Sequence, residues 1–160
     1  MNNIYIYSDA SFDKESQQAI IGFALFQSEL EHNTVSLTDL NPTLIQISES
    51  NNIRAELRSA IASLKSCIKT GHVTLITDCQ TISDLPDRRQ KLEQNNFISH
   101  SKQTFLNNKD LYQQFYQVFD QLQPKLVRVK GHTKAGIQTQ IDKNFSQLDK
   151  LVRHRLRKIR

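Results

Sequence analysis

The stretch Ile4-Tyr5-Ile6-Tyr7-Ser8-Asp9, near the start of the chain, combines a strand-forming pattern with a carboxylate directly after it. Isoleucine and tyrosine fit a pleated, half-buried surface, so the pattern predicts a strand from Ile4 to Tyr7. Asp9 is then expected at the carboxyl end of that strand, before a polar turn over residues 10–16. Taken alone, Asp9 fits an ordinary surface aspartate better than a functional one, and the case for function depends on three further acids.

The chain has 160 residues, of which 38% are hydrophobic, and its mean hydropathy is −0.53. This length predicts one globular domain over residues 1–160. No apolar run approaches the ~18 residues that a membrane span requires, and residues 1–3 do not resemble the basic start of a signal peptide. With only Cys67 and Cys79, neither a disulfide framework nor a zinc site is expected. We expect a cytoplasmic monomer without a membrane partner.

The net charge of +5 is distributed unevenly along the chain. Residues 1–50 contain one basic and seven acidic residues, whereas residues 51–160 contain twenty basic and nine acidic residues. A basic region of this size favours a polyanionic partner, because neutralised phosphates release their counterions. A generally basic, solvated surface explains the charge equally well. The basic residues of 153–160 likewise fit either phosphate contacts or charges that complement the end of a helix.

Strand patterns continue after the first segment. Residues 19–26 predict a second strand that is apolar on both faces. A third strand is predicted from residues 35–37 and 43–47, with Pro42 breaking the chain between them. Three successive strands with short turns favour an antiparallel meander.

Helical patterns dominate the rest of the chain. Apolar residues at steps of three and four predict helices over about 53–69, over 111–122 and from Phe145 onward. A helical piece limited or kinked by Pro86 is expected between the first two of these. Residues 87–109 lack a regular pattern and predict a basic loop with some helix in it.

Two further strands are predicted between the helices, at residues 73–77 and 126–129. Strands that are joined through helices pair in parallel, because parallel neighbours need a crossover connection. The order therefore predicts an α/β fold with a five-stranded mixed sheet, in which three antiparallel strands are followed by two parallel ones, flanked by helices.

Four acids occupy positions where they can meet. Asp9 and Asp78 each follow a predicted strand, Glu56 lies near the start of one helix, and Asp149 lies in the last helix. Ligand sites in open α/β sheets form outside the carboxyl ends of the strands. Converging carboxylates repel each other unless cations lie between them, and oxygen ligands suit Mg²⁺ or Mn²⁺. Asp142 competes with Asp149 for the fourth position, but it is expected before the last helix begins.

Five motifs follow one another along the chain: Tyr7-Ser8-Asp9-Ala10-Ser11, residues 51–57 (NNIRAEL), Thr77-Asp78-Cys79-Gln80, Val129-Lys130-Gly131-His132 and residues 145–153 (FSQLDKLVR). Together they resemble, in order, the motifs of type 1 ribonuclease H. The resemblance covers essentially the whole chain, so it implies a single domain with a ribonuclease H-like fold. Any one motif is weak, and the specificity comes from finding all of them in this order.

The resemblance implies an endoribonuclease that cuts the RNA strand of RNA–DNA hybrids, leaving 5′-phosphate and 3′-hydroxyl ends. Two Mg²⁺ ions, with Mn²⁺ as a substitute, would be held by four carboxylates. Asp9 would bridge both ions, Glu56 and Asp78 would serve the leaving-group side, and Asp149 would serve the nucleophile side. His132 would move protons or help product release, for which an imidazole pKa near 6.5 is suitable.

The same resemblance assigns substrate contacts to Ser11, Asn51, Asn52, Gln80 and Lys130. The two asparagines and the glutamine would address the minor groove of the hybrid, where a 2′-hydroxyl marks RNA. A helix N-cap is the structural alternative for either asparagine, and a solvated side chain is the alternative for the glutamine.

Other functions remain open at the level of sequence. A catalytically weak or silent nucleic-acid-binding module on the same fold is the main alternative, although all four carboxylates are present. A DNA-acting integrase or resolvase nuclease is less consistent with the Asn-Asn and Lys-Gly-His motifs. A phosphatase-like or kinase-like protein would need a phosphate-cradling Gly-rich loop, and the four glycines of the chain form none.

Overall fold

The computed structural model describes residues 2–67, 71–130 and 139–160. Its five strands are β1 (Asn2–Asp13), β2 (Gln18–Phe26), β3 (Thr43–Ser48), β4 (Gly71–Thr77) and β5 (Lys125–Arg128). They form one sheet in the order β3-β2-β1-β4-β5. The pairs β1–β2 and β2–β3 are antiparallel, whereas β1–β4 and β4–β5 are parallel. The predicted five-stranded mixed sheet is confirmed.

Over the described ranges, five α-helices accompany the sheet: α1 (Glu29–Thr34), α2 (Asn52–Lys65), α3 (Gln80–Gln94), α4 (Lys109–Leu122) and α5 (Gln140–Ile159). A short 3₁₀ helix spans Leu37–Leu40. Helices α2 and α5 both contact β1 and β2, and α2 also packs on α4. The sheet therefore lies between two helical layers. Within the described residues, no helix is long and apolar enough to cross a membrane.

The first strand is longer than predicted. It continues through Asp13, and Asp9 pairs with Gly22 of β2 inside the antiparallel ladder. The polar turn predicted at residues 10–16 is therefore wrong, and the actual turn falls at residues 14–17. On its other edge, β1 pairs with β4 only as far as Tyr7 and Ile76. Asp9 thus lies just beyond the parallel ladder while β2 holds its backbone rigidly.

The region between β2 and β3 also differs from the prediction. Residues 35–37 are not a strand, because the chain forms α1 and the 3₁₀ helix there. Ser28 caps α1 by accepting a hydrogen bond from the Glu31 N–H. Leu37 is fully buried in the core beside α5. The apolar character of this segment therefore reflects the packing of Leu37 in the core and not strand pairing.

Helices α3 and α5 both extend beyond their predicted bounds. Helix α3 continues through Pro86 to Gln94, so the irregular region is limited to residues 95–108. Helix α5 begins at Gln140, and the prediction that Asp142 precedes this helix is wrong. Asp142 forms a capping box with Thr139: the Asp142 N–H donates to Thr139 Oγ1 at 3.2 Å, and the Thr139 N–H donates to the Asp142 carboxylate at 3.1 Å.

Gly22 sets the distance between α5 and the sheet. A Cβ at this position would overlap the Val152 side chain and would lie 2.9 Å from Leu44. Only glycine lets α5 approach β2 so closely at the residue that pairs with Asp9. Because Asp149 lies about one turn before Val152 on α5, this approach brings the last helix to the first strand where the acids must meet.

Candidate active site

Three carboxylates from separate elements converge at one end of the parallel strands. Asp9 comes from β1, Glu56 from α2, and Asp78 directly follows β4. An oxygen atom from each lies within 4.8 Å of the other two. Asp9 is 2% exposed and Glu56 is 5% exposed, whereas Asp78 is partly open to solvent. The predicted meeting of strand ends therefore occurs in the structure.

Asp149 stands beside this cluster on α5. Its carboxylate lines the same cavity of about 580 Å³ as the other three acids. It is close enough to Asp9 and Asp78 to act on the pKa of both. One of its oxygens accepts a hydrogen bond from Arg153 Nε at 3.1 Å. The structure thus brings together all four acids that the sequence predicted.

The pKa values of Asp9, Glu56 and Asp78 are raised. Burial raises the pKa of Asp9 well above its usual range, and the charges of Glu56 and Asp78 add to this effect. Burial, with the charge of Asp78 next in size, also raises the pKa of Glu56. The pKa of Asp78 is raised by its burial and by the charge of Asp149. Each shift means that the protein alone does not stabilise these carboxylates in the ionised form.

Two oxygen atoms in the cluster have no hydrogen-bond partner among the described residues. They are Asp9 Oδ2 and Glu56 Oε2, and both are inaccessible to solvent. An unpaired buried carboxylate oxygen is costly, and native proteins rarely leave one without a partner or a bound ion. The donor set is oxygen only, which is the chemistry that Mg²⁺ and Mn²⁺ prefer. The residues therefore fit divalent cations.

Ser59, which the sequence reading missed, ties α2 to β1 at the acid cluster. Its hydroxyl lies 2.9 Å from the Asp9 carbonyl oxygen and 3.1 Å from the Gly22 carbonyl oxygen. It also accepts a hydrogen bond from the Ser8 hydroxyl at 2.9 Å. The signal was a serine three residues after Glu56, on the buried face of α2. Its hydrogen bonds fix the strand that carries Asp9 against the helix that carries Glu56.

The predicted substrate residues divide into two groups. Ser11 and Asn52 line the cavity together with the carboxylates. Asn51 instead is the N-cap of α2, where its side-chain oxygen accepts a hydrogen bond from the Arg54 N–H at 2.9 Å. Gln80, at the start of α3, and Lys130, after β5, are exposed.

His132 lies outside the described residues, as does its neighbour Gly131. Its proposed role therefore stays a prediction. Two arginines of α5 and the residue after it, which were not among the predicted site residues, also line the cavity: Arg153, Arg157 and Arg160.

Comparison with known proteins is consistent with this geometry. The family model for RNase H matches residues 1–156. No curated protein sequence matches the chain significantly. Among solved structures, LC9-RNase H1, described as a type 1 RNase H with the type 2 active-site motif, is similar with a TM-score of 0.66 and 16% identity, covering 96% of this chain and 72% of that chain.

Viral enzymes share the fold as well. A foamy viral protease-reverse transcriptase in complex with double-stranded DNA matches with a TM-score of 0.61 and 14% identity, covering 91% of this chain and 92% of that one. A foamy viral protease-reverse transcriptase in complex with an RNA/DNA hybrid matches with a TM-score of 0.63 and 12% identity, covering 96% of this chain. In that second case this chain spans only 19% of the larger protein.

At these identities the structural matches establish the fold, which is that of ribonuclease H. The family model extends over nearly the whole chain. Its match includes all four clustered carboxylates, from Asp9 to Asp149. The chain therefore belongs to the RNase H family, and it is a ribonuclease H hydrolase.

Proposed function

We propose that this protein cleaves the RNA strand of RNA–DNA hybrids by hydrolysis, leaving 5′-phosphate and 3′-hydroxyl ends. The observation that carries the proposal is the set of four carboxylates in one cavity, with two buried oxygens that lack a partner among the described residues. Membership in the RNase H family supports hybrid cleavage as the reaction class. The structural match to a viral enzyme in complex with an RNA/DNA hybrid is consistent with that substrate.

Two Mg²⁺ ions, with Mn²⁺ as a substitute, are the proposed cofactors. Asp9 would hold both, Glu56 and Asp78 would hold the one on the leaving-group side, and Asp149 would hold the one on the nucleophile side. Such a metal pair lowers the pKa of an attacking water and neutralises the charge on the leaving oxygen. The raised pKa values of Asp9 and Glu56 support this assignment, because bound cations would stabilise the ionised carboxylates.

The other residues of the site would bind and orient the hybrid. Asn52 and Ser11 line the carboxylate cavity, so they can reach the backbone or minor groove of a strand placed there. Asn51 can contact the hybrid only through its side-chain amide nitrogen, because its side-chain oxygen caps α2. Gln80 and Lys130 are both exposed, which is consistent with contacts to a polyanion. A contact between one of these side chains and a 2′-hydroxyl of the substrate would distinguish RNA from DNA.

His132 is proposed to transfer protons near the scissile bond or to assist product release. We also propose that residues 1–160 act as one catalytic domain, as a monomer in the cytoplasm. All four acids come from a single chain, which supports a monomer. Size-exclusion chromatography with light scattering tests this, and a stable dimer would contradict it.

The proposed reaction is tested with a 5′-labelled RNA strand, offered as a hybrid with DNA, as duplex RNA and as a single strand. Each substrate is incubated with Mg²⁺, with Mn²⁺ and with EDTA. The wild type is compared with Asp9→Asn and with Asp39→Asn, an exposed acid of the 3₁₀ helix that serves as the matched control. We expect metal-dependent cleavage of the hybrid and of neither other substrate. Asp9→Asn should lose this cleavage, and Asp39→Asn should keep it.

Tight binding of the hybrid without cleavage under either metal would contradict the proposal. That result would favour a catalytically silent nucleic-acid-binding module. Cleavage of duplex RNA as fast as the hybrid would instead contradict the proposed substrate.

A further inference from the structure

The last turns of α5 and the residue directly after it carry three arginines on the same side as Asp149. Arg153, Arg157 and Arg160 follow Asp149 at spacings of four, four and three residues, which place side chains on one helix face. All three line the cavity that contains the four carboxylates. With a rise of about 1.5 Å per residue, this basic face extends roughly 16 Å along the helix from Asp149 to Arg160.

The three arginines differ in how far other residues satisfy them. Arg153 Nε lies 3.1 Å from Asp149 Oδ1, and Arg160 Nη2 lies 3.6 Å from Asp13 Oδ1. Arg157 has no carboxylate within 4.0 Å in the described parts of the chain. Its Nε donates to the Arg153 carbonyl oxygen at a long 3.5 Å. The Arg157 guanidinium is therefore the cation of this face whose charge is least neutralised by the described residues.

A phosphodiester is the ligand that this arrangement suits. The guanidinium group presents planar, paired N–H donors that match phosphate oxygens. Carboxylates without bound cations would repel an incoming nucleic-acid backbone, so positive charge next to them lowers the cost of bringing phosphates close. The alternative use, complementing the negative end of α5, needs cations near the last turn but no particular face. The last turn of α5 contains Arg157 and Lys158, and Lys158 meets that need without lining the cavity.

We propose that Arg157 and Arg160 form a phosphate track that extends the carboxylate cavity along α5 and holds the backbone of the cleaved strand beside the scissile bond. The inference rests on the proposed function for the identity of the ligand. In this assignment Arg157 makes the stronger contact, because Arg160 must give up part of its interaction with Asp13. Both are binding and positioning residues, and the chemical step stays with the carboxylates.

The test compares Arg157→Ala with Arg155→Ala, which removes the same charge from the opposite face of the same helix. Cleavage kinetics are measured at several salt concentrations on a hybrid whose cleavable 2′-hydroxyls are confined to a short central block. We expect Arg157→Ala to raise KM roughly fivefold, the size expected of one exposed charge-assisted contact, with kcat within about twofold. The slope of log KM against log salt should fall by about one. Arg155→Ala should change neither quantity.

The contacted phosphate is identified by replacing the phosphates around the block, one at a time, with uncharged methylphosphonates. One replacement should raise KM for the wild type and have no further effect in Arg157→Ala, because the two changes remove the same contact. Equal effects of Arg157→Ala and Arg155→Ala would overturn the track. A KM effect that adds fully to every replacement would overturn it as well, and so would a loss of thermal stability without a change in KM.

A binding experiment separates this inference from the proposed reaction. Fluorescence anisotropy of a labelled hybrid is measured in the Asp9→Asn background, with and without Arg157→Ala or Arg155→Ala. Weaker binding caused only by Arg157→Ala would support the track even if the wild type cleaved no hybrid. Unchanged binding would overturn the track even if the wild type cleaved efficiently.

Discussion

Two groups of charges on α2, only two residues apart, are built in opposite ways. Arg54 donates from Nε to Glu49 at 2.8 Å and from Nη1 and Nη2 to Asp110 at 2.8 and 2.9 Å. Glu56 belongs to the carboxylate cluster, where one of its buried oxygens has no partner among the described residues. The hydrogen bonds from Arg54 lower the pKa of Asp110, whereas burial raises the pKa of Glu56.

The difference separates charges that hold the fold from charges that await a ligand. The Arg54 group joins the loop before α2 to the start of α4, and Arg54 Nη1 also donates to the Asn107 carbonyl oxygen at 2.8 Å. Its charges are neutralised within the protein, so nothing further is needed there. In the carboxylate cluster, Asp9 Oδ2 and Glu56 Oε2 gain no such compensation from the described residues. A buried charge without a protein partner is therefore the stronger indicator of function.

The largest expected effect distinguishes Asp149 from Asp142, the two candidates for the fourth carboxylate of the site. Asp149→Asn should lower kcat for hybrid cleavage by at least about 100-fold, more than the loss that follows removal of an outer-shell partner of a metal site. Asp142→Asn should leave most activity, because the Asp142 carboxylate is engaged with Thr139 at the start of α5. Steady-state kinetics with Mg²⁺ measure both.

The stability of the same two variants supplies the control. Asp142→Asn should lower the free energy of unfolding by about 1 kcal/mol or less, the usual size of a capping contribution. If Asp142→Asn lost activity while Asp149→Asn kept it, the fourth carboxylate would have to be reassigned.

The next effect concerns the energetic cost of the carboxylate cluster. Without metal, Asp9→Asn should raise the Tm by several degrees, because it removes a buried charge that its neighbours repel. Mg²⁺ should raise the Tm of the wild type, since a ligand that binds only the folded state stabilises it. The same concentration should have little effect on the Tm of Asp9→Asn. Differential scanning calorimetry with EDTA or Mg²⁺ measures these shifts.

The exposed control Asp39→Asn should behave like the wild type in both buffers. A destabilised Asp9→Asn in EDTA would mean that the cluster supports the fold, as the Arg54 group does. The comparison between the two groups would then fail.

The smallest of the three expected effects tests the Arg54 group. Arg54→Ala should lower the free energy of unfolding on the order of 2 kcal/mol at pH 7, because charge-assisted hydrogen bonds are lost. Burial acts to raise the pKa of Glu49, but hydrogen bonds from Ser50 and Arg54 leave it lowered. The pKa of Asp110 is lowered as well.

These lowered values fix the sign of the pH dependence. A carboxylate with a lowered pKa in the folded state stabilises the fold above its unfolded pKa of about 4 and loses this contribution as the pH falls further. The difference in the free energy of unfolding between wild type and Arg54→Ala should therefore have its full size at neutral pH and shrink below about pH 4. Urea unfolding at several pH values measures it. A difference that grew on acidification would contradict the ion-pair assignment.

Much of the architecture followed from local patterns. The apolar periodicity of α2 and α4 and the strand pattern of β4 depend on neighbouring residues, so these elements were predicted near their actual positions. Helix α2 nevertheless ends at Lys65, four residues before its predicted end. The β1 extension was missed because residues 10–13 are polar enough for a turn, and only pairing with β2 keeps them extended. Helix α1 was missed because its stability comes from a Ser28 cap and from packing, rather than from an apolar stripe.

The site shows the same division between sequence and structure. The four carboxylates could be chosen from the sequence, because each lies in a recognisable motif beside a strand end or on a patterned helix. Their convergence required α5 to approach the sheet over Gly22, which is a contact between distant parts of the chain. The contacts of Ser59, and the position of Arg153, Arg157 and Arg160 beside the carboxylates, likewise emerged only in the folded protein.

For this protein, the sequence by itself determined the class of fold, the family and the identity of the acids, because periodicity and motif order are properties of neighbouring residues. The tertiary structure alone decided that Asn51 caps a helix while Asn52 lines the cavity. It also decided which arginines stand beside the carboxylates and which buried oxygens have no partner in the described part of the chain. Those outcomes depend on burial and on long-range contacts, and both exist only after the sheet and its two helical layers have packed together.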